Sequence, residues 1–193
     1  DESADKALID AAGELKGKLL VGTINSIGAK RIAAATGVLT NRLKHKNPQV
    51  ASCAAVALGK IANEEATKTL RAELKNPASR IRGPAAEGCI LCAERLNKDG
   101  KTGEAAAIYD EVRKSEAPKR RKLEATRGYI VAKGSAGIPT LIEQLQSKDK
   151  AYFQIGLLTA RQLSGREVTD ALTAQLPKLA SERAIGLLSV LAD

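Results

Sequence analysis

Cys89 and Cys92 stand three positions apart in GCILCAERL, a spacing used by thiol redox enzymes, haem attachment sites and half zinc sites. Covalent haem attachment requires His directly after the second Cys, and position 93 is Ala. A zinc site requires about four ligands. Beyond this pair the chain offers only Cys53 and His45, with no second Cys-x-x-Cys. A thioredoxin-type pair sits after a strand, at a helix N-terminus whose dipole lowers the thiol pKa. Here the pair follows Ala85, Ala86 and Gly88 inside an expected helix, with no strand before it. Ala85, Cys89, Cys92 and Leu96 fall on one helical face, where a free Cys packs as a small hydrophobe. Packing is the expected role. A reversible redox pair is the alternative, and rapid thiol labelling of the folded protein would reveal it.

Other reactive types are sparse. His45 is the lone histidine, flanked by lysines at an expected helix end, where a cation complements the dipole. One His allows no Ser-His-Asp array and no two-His metal helix. Glu64/Glu65 and Asp110/Glu111 are adjacent in helices, so their side chains diverge. Phosphate-cradling glycine loops are absent, and KGSAG at 133–137 reads as a turn between helices. No catalytic, metal-binding or cofactor-binding residue is expected, and the protein is expected not to be an enzyme.

The formal charge is +9, unevenly spread. Between Glu14 and Glu64 there is no acid, while Lys16, Lys18, Lys30, Arg31, Arg42, Lys44, Lys46 and Lys60 all fall there. A second cluster, Lys119, Arg120, Arg121, Lys122 and Arg127, is the candidate surface for a partner or an anion. KRRK follows Pro118 at an expected helix start, where the dipole disfavours cations. The cluster therefore needs Glu116 and Glu124 nearby, or an external anion. With one Phe, three Tyr and no Trp, the chain has little to stack on nucleic-acid bases.

The elements that position these residues are helices. Apolar residues recur three and four apart, and no alternating strand pattern is present. KNP at 46–48 separates two helices, and Val50, Cys53, Ala54, Ala57, Leu58 and Ile61 form one stripe on the second. Leu39 and Leu43 precede Leu70 and Leu74 by 31 residues, and Leu141 and Leu145 precede Leu172 and Leu176 by the same interval. That period marks stacked helical pairs, which bury their apolar sides only against one another. Six hairpins are expected, near 3–29, 32–62, 64–97, 101–133, 135–164 and 166–192.

ALGKIANEEATKTLRAEL and KGSAGIPTLIEQLQSKDKAYFQIGLLTARQL resemble bacterial HEAT-like repeats. The resemblance is best at 32–76 and 134–176, and it is closer to the short repeats of phycobilin lyase subunits than to the long HEAT and armadillo type. It implies a scaffold whose concave face, lined by the second helices, holds a partner. NKDGKTGEAAAIY resembles instead a tetratricopeptide hairpin near 88–114, in which small residues admit a Tyr between helices; a longer HEAT turn is the alternative.

The expected fold is all-α: a right-handed α-solenoid of about six antiparallel helical hairpins, forming one HEAT-like domain over 1–193. The chain begins DESADKALI, without Met, and is expected to be a region of a larger or processed bacterial protein, cytoplasmic or exported. Its expected function is a non-catalytic scaffold for a protein or peptide. The alternative is nucleic-acid or polyanion binding through the bases at 16–46 and 119–127. No run of residues is long and apolar enough to span a bilayer.

Overall fold

The computed structural model describes residues 2–192, and they fold as paired helices with no strand among them. The pairs are α1 (Glu2–Glu14) with α2 (Gly17–Lys30), α3 (Thr36–Arg42) with α4 (Pro48–Ile61), and α5 (Glu64–Lys75) with α6 (Arg82–Lys98). They continue as α7 (Thr102–Lys114) with α8 (Lys119–Lys133), α9 (Ile138–Gln146) with α10 (Lys150–Ala160), and α11 (Arg166–Thr173) with α12 (Ser181–Leu191). This is an α-solenoid of six hairpins whose bounds lie close to those expected from the sequence.

Helix starts are set by side chains placed for the purpose. Asn47, Asn63 and Asp149 accept hydrogen bonds from the backbone N–H of Gln49, Ala66 and Ala151 at 2.9, 2.8 and 2.9 Å. Asn63 also donates from Nδ2 to Thr36 Oγ1 at 2.9 Å, tying one hairpin to the next.

Helices form two layers. The second helices, α2, α4, α6, α8, α10 and α12, lie side by side along the array, each against the next. The first helices touch one another far less. Close stacking of the second layer depends on missing side chains. A Cβ on Gly28 would lie 2.9 Å from Ala57 Cα, and one on Gly59 would lie 2.5 Å from Gly88 Cα. Backbone meets backbone there, and only Gly leaves the room.

Buried residues form one cluster from Ala12 to Ala125 and a second from Ile130 to Val190. They meet on α8, where Tyr129 packs against both. Cys89 and Cys92 belong to the first cluster, fully buried.

Candidate functional site: a groove between the second helices

Close stacking relaxes after α6. Tyr109 reaches from α7 in the first layer to Gly128 on α8, its ring atoms filling the place of a Cβ there. Above it, α6, α8 and α10 enclose a groove of about 420 Å³ on the second-helix face. Ile90 and Leu91 of α6, Val131 of α8 and Ile155 of α10 supply its apolar walls. Its polar groups are Glu87, Glu94, Asn97, Arg121, Glu124, Arg127 and Gln162, together with Tyr109 at the floor. Burial pushes the Tyr109 phenol up to about 12, the Glu94 carboxylate adds to this, and Arg127 opposes it.

The basic cluster does not form a single surface. One face of α8 presents Arg121 and Arg127 to the groove, while Lys122 lines a separate depression with Arg113 and Glu143. Most of these cations are met from within the chain. Arg121 pairs with Glu87 and, at 2.7 Å, with Glu124. Arg120 pairs with Glu124 at 3.0 Å, and Lys119 with Asp149 at 2.5 Å. Arg127 donates to Gln162 Oε1 at 3.2 and 3.0 Å. Internal acids thus offset the adverse position of KRRK at a helix start. Glu124 is among them, but Glu116 makes none of these pairs; Glu87 and Asp149 come from other hairpins.

The first basic stretch is also partly structural. Arg42 donates to the carbonyls of Ala12 and Gly13 at 2.7 and 2.6 Å, satisfying the end of α1. Lys30 pairs with Asp5. His45 Nδ1 accepts from the backbone N–H of Asn47 at 3.0 Å, within the turn that starts α4.

Aromatic faces are occupied as well. The Arg113 guanidinium lies 4.6 Å from the Tyr129 ring centre, Lys119 Nζ 5.9 Å from that of Tyr152, and Arg183 4.6 Å from that of Phe153. Tyr109, the remaining aromatic, is covered at Gly128.

The Cys89 and Cys92 thiols lie in apolar packing, and burial pushes both pKa values up, away from reactive thiolate character. Cys92 Sγ faces the Gly59 carbonyl at 3.8 Å, close to the Gly59–Gly88 contact. On the first-helix face, Arg71 and Lys75 of α5 grip Glu111 of α7 at 2.8 and 3.1 Å. Arg71 chiefly holds that carboxyl below its ordinary range.

Periodicity alone did not indicate the groove. A glycine recurs in every second helix, at 28, 59, 88, 128, 156 and 186. The 40-residue step from Gly88 to Gly128, the longest in that series, was the available signal that stacking changes between α6 and α8.

Among the described residues no helix is long and apolar enough to cross a membrane. No curated protein matches the sequence. A solved complex of CpcE and CpcF of phycocyanin lyase from Nostoc sp. PCC7120 is 16% identical with a TM-score of 0.47, over 97% of this chain and 93% of that one. An engineered protein of known structure is 17% identical with a TM-score of 0.52, over 98% of this chain and 96% of that one, a likeness of fold. The family model for HEAT repeats matches residues 6–89, from α1 into α6. The helical-pair fold of that span runs on to Leu191.

Proposed function

We propose that this chain is a non-catalytic scaffold, acting as one solenoid domain, that holds a protein or peptide on its second-helix face. The second helices pack more closely on one another than the first, which suits the inner layer of a curved stack. The observation that carries the reading is the groove between α6, α8 and α10, where apolar walls and convergent polar groups lie together. It is open, as a side chain of an extended segment requires. The walls belong to separate hairpins, so a bound segment would cross repeats.

A nucleic acid or polyanion is the less favoured partner. Lys119, Arg120 and Arg121 already meet carboxylates, and Arg121 and Lys122 point to different sides of α8. Tyr129, Tyr152 and Phe153 carry the chain's own cations over their rings, which leaves little for base stacking.

Affinity capture from cell extract with three forms of the chain tests this. The native chain and a Lys119→Ala/Arg120→Ala/Lys122→Ala variant should retain the same polypeptide, and Val131→Glu should lose it. Loss with the neutralised cluster and retention by Val131→Glu would transfer the function to the basic surface.

A further inference from the structure

The floor of the groove holds a polar group that the fold leaves unused. Tyr109 is only 4% exposed, yet its hydroxyl makes no hydrogen bond among the described residues. It is not sealed in, because it opens on the groove. A hydroxyl that no group of the fold engages and that faces the groove is open to a hydrogen bond with whatever enters there.

The charges around it have a sign. Glu87, Glu94 and Glu124 line the groove against Arg121 and Arg127, an acidic excess in a chain of formal charge +9. Glu87 and Glu124 serve Arg121, and Arg127 rests on Gln162. Among the described residues Glu94 makes no ion pair; it lies exposed on the α6 wall and is the charge felt most strongly by the Tyr109 phenol. Leu91, Val131 and Ile155 line the same groove. Apolar walls in one groove with a free carboxylate suit a side chain with an aliphatic stem and a cationic end.

We propose that the groove reads a lysine or arginine side chain of the partner polypeptide, its stem on Leu91, Val131 and Ile155 and its charged head on the Glu94 carboxylate and the Tyr109 hydroxyl. This rests on the groove being the docking site. A neutral aliphatic side chain would cover both acceptors and leave them unpaired. An acidic one would meet three carboxylates.

Amide-resolved NMR titration of the native chain with three capped Ala-X-Ala tripeptides tests the assignment, with X as lysine, norleucine or glutamate. The lysine peptide should move signals from 87–97 and 124–131, binding about two- to fivefold more tightly than the norleucine peptide, as an exposed ion pair allows. The glutamate peptide should leave those signals in place. Glu94→Gln and Tyr109→Phe should each reduce lysine binding to the norleucine level with unchanged melting temperature, because neither lost group has a partner in the fold. Equal binding of lysine and norleucine at these residues would overturn the cation reading and leave the groove as a docking site. Preference for glutamate would reverse the assigned sign. Movement of no groove signal by any peptide would overturn both readings.

Discussion

A Cβ placed on Gly128 would lie 2.4 Å from Cε1 of Tyr109, so the tyrosine ring occupies the space that any other residue at 128 would need. This contact joins the two layers of the fourth hairpin and sets the floor of the groove. Gly128→Ala should therefore destabilise by about 1–3 kcal/mol in urea unfolding, despite the better helix propensity of Ala. Tyr109→Phe should stay within about 0.5 kcal/mol, since the deleted hydroxyl holds nothing in the folded chain. A neutral Gly128→Ala would mean the ring moves freely, and the floor is then not fixed.

Gly59 and Gly88 pose a stricter case, because a Cβ on Gly59 meets the backbone of α6 and no flexible side chain can yield. Either Gly59→Ala or Gly88→Ala should cost about 1–3 kcal/mol by forcing α4 and α6 apart. Gly22 in α2 is the control, with open space around its missing Cβ. Gly22→Ala should raise stability by up to about 1 kcal/mol.

The buried thiols tie stability to alkaline pH. Burial raises the pKa of Cys89 and Cys92 above the ordinary 9.0. Below that value both states hold the thiol proton and stability is intact. As pH rises past it the unfolded chain ionises first, and stability falls by up to about 1.4 kcal/mol per pH unit for each thiol. Cys89→Ala should flatten the decline between pH 9 and 10 measured by urea titration. In labelling of the folded chain at neutral pH, half-buried Cys53 should react first, with Cys89 and Cys92 modified only on unfolding. Rapid labelling of either would restore the redox reading of Cys-x-x-Cys.

Acid acts through Glu111, whose carboxyl Arg71 and then Lys75 hold below the ordinary 4.5. The contribution is present above that value and is lost as pH falls beneath it, because the unfolded chain takes up the proton first while the folded carboxylate, held by Arg71 and Lys75, resists it. Glu111→Gln should cost less than about 1 kcal/mol at pH 7, the pair being partly exposed, and nothing once pH falls below the native titration. An unchanged acid profile in that variant would mean that Arg71 and Lys75 contribute no stability through Glu111.

The helical pairs, their bounds and their stacking were legible in the sequence because each depends on neighbours along the chain. Apolar spacing, Asn47 before Pro48 and the 31-residue interval act within a few turns or repeat at a fixed step. The burial of Cys89 and Cys92 followed from the same periodicity. Which charges are free did not follow, because pairing is decided across hairpins. Arg121 meets Glu87 from 34 residues away and Lys119 meets Asp149 from 30, so the cluster that looked available is largely satisfied. Glu94, unremarkable in the sequence, is left without an ion pair beside a buried hydroxyl. The sequence by itself determined a stack of helical pairs, since local spacing suffices for that. Tertiary structure decided where the stack opens, because a ring from one layer and a missing Cβ in the other had to meet in space.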